Sequence, residues 1–395
     1  MDHTAPSTDV GTAYNMKPST YDVSLTEVRR GTPMGELLRR YWHPVAKCED
    51  ATDTPKVITV LGEELILFRD KTGRPGLVYP RCAHRGTTLY YGKVEERGIR
   101  CCYHGWLFDV QGNCLEQPCE PGGGKNLERT RQPWYPVQEK YGLIFAYMGP
   151  PEKKPVLPLY ENLEAVRSDE DIVAEQKAFA PGGPIIAPCN WLQYFENGVD
   201  VYHVYILHSN FSTVQFAEEL ASFPAVKWEY TPYGLQAIRD LPQKDGGTLR
   251  RITEFLGPVC RSIPDVFALP GPSERIEWIL PVDDTHFTTF SAGRVPKGQD
   301  KIRTRKALHN GKLYDEMTEE EHQKYPNDYE AQVGQGPITF HSEEHLVTSD
   351  KGVGMYRRQL QNSLKAMAEG RDPDGVSFGN DMMVKVGAGN FFLNS

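Results

Sequence analysis

The sequence predicts an α+β protein in which a small all-β domain precedes a larger domain of strands and helices. Three observations carry this. Short β-type runs crowd residues 57–148; a Gly-Pro-Pro break with a lysine-rich stretch follows; beyond it, β-type runs give way to a helical C-terminal third. At roughly 150 residues per domain, 395 residues suit two domains. The expected boundaries are an N-terminal arm with short helices at 1–40, the all-β domain at 41–150 and the larger domain at 151–395.

Residues 1 to 20 are polar, rich in Pro, Ser and Thr, and read as a flexible arm. Leu25 and Val28, then Met34, Leu37 and Leu38, suggest two short helical turns. Val57–Leu61 and Leu65–Phe68 flank Gly62-Glu-Glu64, and Pro75-Gly76 interrupts before Leu77–Tyr79, a hairpin-like succession of strands. Gly149-Pro-Pro151 with Lys153-Lys-Pro155 marks a linker. A segment of mixed character leads to helix-compatible sequence from Asn190 to His208. Strands are expected at Val226–Tyr230, Leu249–Leu256 and Val266–Leu269, then at Ile276–Pro281 and Thr285–Phe290 around a Val282-Asp-Asp284 turn. Tyr356, Leu360, Leu364 and Met367 recur at helical spacing near the C-terminus.

Composition excludes several classes. With 44 Lys and Arg against 53 Asp and Glu, the net charge of −9 argues against a nucleic-acid binder, which would show a basic face. No apolar run approaches the ~18 residues of a membrane span. The first residues lack the charged start and apolar core of a secretory signal, so a cytoplasmic protein is expected. Eight cysteines in a chain of this length are too few for a disulfide scaffold and read as thiols or metal ligands.

Cys82-Ala-His84 is followed, sixteen residues on, by Cys101-Cys-Tyr-His104 and then Gly105-Trp106. Two compact Cys-plus-His pairs, separated by the length of a strand out and a strand back, can close around one metal centre from two adjacent loops. A zinc ion would take Cys₂His₂ tetrahedrally; a [2Fe–2S] centre of the Rieske kind would place both thiolates on one iron and both imidazoles on the other. Spacing alone leaves both open. Cys102 reads as a bystander, and Cys48, Cys114, Cys119, Cys189 and Cys260 as ordinary core or surface residues.

The second constellation is Asp200, His203 and His208 within nine residues. On a helix Asp200 and His203 share a face, whereas His203 and His208 stand about 140° apart. Both can reach one metal only if the helix ends or distorts between them. Two imidazoles and a carboxylate with open positions form the facial triad of non-haem Fe(II) oxygenases; the plainer alternative is a pair of core histidines in an aromatic-rich helix.

With Tyr41-Trp-His-Pro-Val-Ala46 and Tyr329–Ile338 added to these two motifs, the chain resembles the large subunit of the Rieske non-haem iron aromatic-ring-hydroxylating oxygenases over nearly its whole length. The subgroup it resembles is the phthalate dioxygenase type, which includes aromatic-acid dioxygenases and O-demethylases such as dehydrodivanillate demethylase. The resemblance implies a Rieske domain followed by a helix-grip-like catalytic domain with an antiparallel sheet. It implies that Cys82 and Cys101 hold one cluster iron, His84 and His104 the other, and that His203, His208 and Asp328 hold a mononuclear Fe(II). Asp328 lies seven residues before Gln335, the family's spacing. Asp200 becomes an electron-transfer bridge from His203 to the partner subunit's His104, and Asn197 a further candidate catalytic residue. O₂ is the implied co-substrate. NAD(P)H electrons arrive through a separate flavin and ferredoxin-type reductase, since no G-x-G-x-x-G fingerprint is present. The implied assembly is a homotrimer or stacked trimers.

The leading expectation is dihydroxylation of a small, carboxylated aromatic, with O-demethylation of a methoxylated aromatic acid as the alternative. The subgroup's Asp-Arg pair after Gly-Pro-Ile is replaced here by Thr339-Phe340, and no basic residue follows His208 up to Phe216, which argues against phthalate itself. Arg250, Arg251 and Arg261 are candidates for a bidentate carboxylate contact, with Arg251 preferred. Phe195, Tyr205, Phe211 and Phe267 are candidate pocket aromatics. From other classes, a zinc-stabilised binding protein would be colourless, and a Rieske electron carrier would hold two irons and consume no O₂.

Overall fold

The computed structural model describes residues 11–13, 16–177, 179–211, 218–302 and 309–393. The two expected helical turns form. Asp22 caps α1 (Val23–Thr26) by accepting from the Ser24 N–H, and Thr32 with Pro33 opens α2 (Pro33–Leu38). Their apolar residues do not stand apart as an arm: Leu25, Met34, Leu37 and Leu38 belong to the main core. The Val28 N–H donates to Asp284 (2.7 Å), 256 residues away in sequence.

The β half has a base and a tip. In the base, β1 (Trp42–Lys47) pairs with β10 (Leu143–Tyr147), which pairs with β9 (Val137–Lys140). Beside it runs the β2 (Lys56–Val60), β3 (Glu63–Arg69), β4 (Pro75–Val78) meander. All of β10 is buried, and Phe145 meets Trp278 of the other half edge-on at 5.4 Å. The tip is a small sheet of β5 (Lys93–Glu95), β6 (Gly98–Arg100), β7 (Leu107–Phe108) and β8 (Cys114–Glu116). It has its own core, in which Cys82 and Cys101 pack with Phe68, Leu89, Ile99 and Phe108.

Past the linker, β11 (Leu159–Tyr160) pairs in parallel with β20 (Met383–Val384), and α3 (Glu161–Glu164) follows. The scaffold of this half is a nine-stranded antiparallel sheet. Its main path runs β12 (Glu170–Lys177), β19 (His286–Pro296), β18 (Arg275–Asp283), β16 (Cys260–Ser262), β15 (Thr248–Leu256), β14 (Gly234–Pro242), β13 (Ala225–Thr231), with β21 (Gly389–Leu393) against β15 and β17 (Gly271–Pro272). Helices α4 (Trp191–Val199), α5 (His203–Ile206), α6 (Glu319–Lys324), α7 (Asp328–Val333) and α8 (Lys351–Ala368) complete it. Asn190 caps α4 and spends its side-chain NH₂ on the carbonyls of Thr26 (2.9 Å) and Asp284 (2.7 Å), tying the helix to α1 and to the β18–β19 turn.

Three sequence expectations change. Strands β12 and β14 were not anticipated, because their faces mix apolar with charged residues. Val266–Leu269 is a turn and not a strand: Asp265 accepts the Phe267 N–H (2.7 Å) and Ala268 sits at φ +57°. The Asn190–His208 helix is broken at Asp200, with consequences at the site.

Candidate metal centres

Two matching turns at the tip present the first donor set. The Cys82 N–H bonds the Thr87 carbonyl (2.9 Å) and the Gly86 N–H returns to Cys82 (2.8 Å); the Cys101 N–H bonds Trp106 (2.9 Å) and Gly105 returns to Cys101 (3.0 Å). Gly86 and Gly105 lie at φ +77° and +72°, a conformation that L side chains take at a cost, so each glycine lets its loop close four residues after its cysteine. Buried Gln132 holds the first loop, accepting from Ala83 (2.8 Å) and donating to Tyr79 (2.7 Å) and Arg81 (2.9 Å).

The His84 and His104 rings stand 4.6 Å apart, and His84 stacks on Trp106. His84 Nδ1 is buried without a hydrogen-bond partner, which suits a metal-facing nitrogen. Among the described residues, one set of His, Cys, Asp and Glu gathers its ligand atoms within 4.8 Å, and it is not this one. A single zinc would need such convergence; two irons bridged by sulfide do not. Cys102 is exposed, as a bystander would be.

The converging set is His203, His208 and Asp328. Helix α4 ends at Asp200, whose backbone is extended (φ −71°, ψ 103°) and whose carboxylate accepts the Tyr202 N–H (3.0 Å). The chain resumes as α5 and then widens into a π-turn over Leu207–Phe211. In a π-turn residues five apart close one turn, which supplies the distortion that the five-residue histidine spacing requires. The Ser209 hydroxyl reaches the Val204 carbonyl, five back, at 3.2 Å. Asp200 and His203 therefore do not share a helical face. His203 Nδ1 bonds the Asp200 backbone carbonyl, and the Asp200 carboxylate lies 3.9 Å off. That bond turns His203 Nε2 inward, 3.6 Å from Asp328 Oδ1; His208 Nε2 is 3.2 Å from the same oxygen.

Asp328 is the first residue of α7, behind an Asn327–Glu330 capping box. The Asn197 amide donates to its Oδ1 at 3.1 Å. Burial alone would raise the Asp328 carboxyl, but the charge and hydrogen bond of His208, with His203 and Asn197, hold it well below the usual range. Burial lowers His203 against the pull of Asp328, favouring the neutral imidazole that a metal needs. Two imidazoles and one carboxylate, with no fourth protein group converging among the described residues, suit a mononuclear iron with open positions.

These groups open onto a cavity of about 180 Å³ between α4, α5 and the sheet. Tyr205 and Arg251, two of the pocket candidates, line it, together with Asn197 and Asp200. Phe195 does not: it is fully buried, stacked 4.4 Å from Tyr356, and belongs to the core. Phe211 is 65% exposed and outside the lining, as is Phe267. Arg250 points to the other face and pairs with Asp240 (2.7 Å).

Arg251 is buried and spends its guanidinium on the carbonyls of Asp265 and Pro264 and on Asn390 (2.7 to 2.8 Å), so it braces the 264–269 turn and β21. Arg261 also lines the cavity, bound to Glu277 (2.7 Å) and lying over the Tyr194 ring. Arg239, directly opposite Arg251 on β14, was missed by sequence reasoning. It is 7% exposed; Nη2 donates to Thr253 (2.7 Å) and Nε has no partner. Burial pulls its guanidinium down to about 10. The signal was available, for Leu235, Ala237, Arg239 and Leu241 form the inward alternation of β14 and only the arginine is polar.

A Rieske [2Fe–2S] domain family model matches residues 41–136. Over 405 aligned positions the chain is 50% identical to the phenoxybenzoate dioxygenase subunit alpha of Ectopseudomonas oleovorans, spanning all of this chain and 98% of the relative. It is 34% identical to the 5,5'-dehydrodivanillate O-demethylase oxygenase subunit of a Sphingobium strain (89% and 81% covered). It is 31% identical to the phthalate 4,5-dioxygenase oxygenase subunit of Pseudomonas putida (89% and 87%). The fold is that of dicamba monooxygenase (TM-score 0.60, 17% identity, covering 85% of this chain and 99% of that one).

Fold, donor sets and relatives together define an iron-dependent oxygenase that couples an iron–sulfur relay to a second metal. The chain belongs to the Rieske non-haem iron oxygenases, as a large oxygenase subunit of the group containing the phthalate and dehydrodivanillate enzymes. It is thus an oxidoreductase that carries a [2Fe–2S] cluster and mononuclear iron, uses O₂, and takes electrons from a separate reductase. Among the described residues no helix is long and apolar enough to cross a membrane.

Proposed function

We propose that this subunit dihydroxylates a small aromatic carboxylate, with Cys82, His84, Cys101 and His104 holding the cluster in a 41–150 domain and His203, His208 and Asp328 holding the mononuclear iron in a 151–395 domain. When bound, the cluster relays single electrons and the mononuclear iron supplies the site of O₂ activation. The protein's part is to bind and orient. The Asp200 carbonyl fixes the His203 tautomer, Asn197 steadies Asp328, and Arg239 receives the substrate.

The observation that carries the substrate class is Arg239. Two buried arginines facing each other across β14 and β15 repel, and among the described residues neither has a carboxylate partner. Arg251 is satisfied by two backbone carbonyls and Asn390. Arg239 lines the cavity with a guanidinium that bonds Thr253 and has no ion pair among the described residues, which suits a ligand anion such as an aromatic carboxylate able to accept a charge-assisted hydrogen bond. The relative named as a phenoxybenzoate dioxygenase acts on a substrate of this type.

Asp200, with its side chain 37% exposed, is the proposed bridge to the partner subunit's His104 in a head-to-tail homotrimer or stacked trimers. Metal analysis with a visible spectrum tests the ligand assignment: about three irons per chain with Rieske absorption are expected. In Asp328→Ala the mononuclear iron should be lost and the cluster kept; unchanged iron content sinks the assignment. Incubation with a reductase and a panel of aromatic acids should yield diol, whereas formaldehyde would assign O-demethylation instead.

A further inference from the structure

Helix α4 touches the Asp328 segment at two points one turn apart. Asn197 reaches the carboxylate itself. Gln193, four residues earlier on the same face, is 4% exposed and spends both amide N–H groups and its carbonyl oxygen on the backbone at the other end of α7. Its Nε2 donates to the carbonyls of Gln332 (2.9 Å) and Gly336 (3.0 Å), and its Oε1 accepts from the Thr339 N–H (3.1 Å).

Helix α7 has six residues, too few to hold its place by its own cooperativity, and its exit is closed only by a short turn, the Gln335 N–H to the Gln332 carbonyl (3.2 Å) and the Gly336 N–H to the Val333 carbonyl (2.9 Å). The side-chain amide of Gln332 cannot anchor that end, for it is buried without a partner. We propose that Gln193 is a positioning residue for the iron site: by capping the exit of α7 from α4, it fixes where Asp328 stands relative to His203 and His208. Both histidines follow α4 in the chain, so one helix carries the reference frame for all three donors. The proposal rests on the reading that Asp328 is an iron ligand.

The test uses the full-length protein with its cluster, stripped of mononuclear iron and titrated with Fe(II). Gln193→Leu keeps the bulk and removes the amide. It is expected to weaken Fe(II) binding by about ten- to a hundredfold, to broaden the electron paramagnetic resonance signal of the ferrous site treated with nitric oxide, and to leave the cluster's visible spectrum unchanged. Tyr141→Phe is the stability control. It removes hydrogen bonds to Glu164 (2.7 Å) and Tyr160 (3.0 Å) at the β9–β10 turn and should lower Tm without moving Fe(II) affinity. If Gln193→Leu fails to assemble its cluster, Gln193→Asn replaces it and should show a smaller weakening in the same direction. Wild-type Fe(II) affinity and an unaltered nitric oxide signal in a folded Gln193 variant overturn the proposal. Loss of iron in Asp328→Ala beside that result would leave the ligand assignment standing; retention of iron in Asp328→Ala would instead remove the reading beneath it.

Discussion

Cys82 and His84 come from one tight turn and Cys101 and His104 from its twin, so the first donor set is written within a short stretch of chain. His208 and Asp328 are 120 residues apart and meet through a helix break, a π-turn and a second helix. The tip depends on backbone conformation at two glycines. The second site depends on packing between elements that have no sequence proximity. Local change should therefore damage the tip alone, and remote change should reach the second site.

Asp200 offers the largest effect. Asp200→Asn keeps the carbonyl that orients His203 and alters only the carboxylate. Both metals should remain, and reductase-driven turnover should fall by up to about a hundredfold, the upper end of losses seen when a partner of a metal ligand is changed. Normal turnover would remove the proposed electron path. Next is Arg239→Leu. Losing one charge-assisted contact worth about 2 kcal/mol should raise KM for an aromatic acid about thirtyfold, with iron content unchanged. An equal rise for the corresponding uncharged amide would argue against carboxylate recognition.

At the tip, Gly86→Val forces a β-branched residue to φ +77°, close to the Arg81 guanidinium. A cost of about 1 to 2 kcal/mol is expected, read as earlier thermal bleaching of the cluster while the mononuclear iron is retained. Parallel loss of both metals would mean that the two sites are not separable in this way.

The smallest effect concerns the base shared by both halves. His43 is fully buried and donates through Nε2 to the Leu38 carbonyl (2.8 Å), and burial pushes it down to about 4. Because the folded value lies below the ordinary one, the unfolded chain takes up the proton first. Stability is full above pH 6.5 and drains as pH falls toward 4. Between pH 7.5 and 5.5 the loss from this group should be on the order of 1 kcal/mol. A His43→Leu variant should show a correspondingly flatter dependence in urea unfolding, and an unchanged slope would assign the acid sensitivity elsewhere.

What could be read from the sequence follows the same division. The tip donors were evident because a turn keeps its partners at fixed spacing. The histidine pair was evident as a problem: five residues do not fit an α-helix, and the π-turn that resolves it appears only in the folded chain. Asp328 was reached through family spacing and not through local chemistry. Arg239 escaped because β14 was not read as a strand, so the alternation that turns it inward went uncounted. Phe195 failed for the converse reason: an aromatic on a site-bearing helix turns toward the core as readily as toward the cavity, and spacing did not decide.

The π-turn at Leu207–Phe211 also makes the catalytic half sensitive to length as well as to composition. A π-turn accommodates one more residue than the α-helical turn it replaces. Adding a single residue between the two histidines without a further widening of the turn would swing His208 by about 100° away from Asp328. The segment thus measures out chain: its length, more than the identity of the residues beside His208, keeps that imidazole aimed at Asp328.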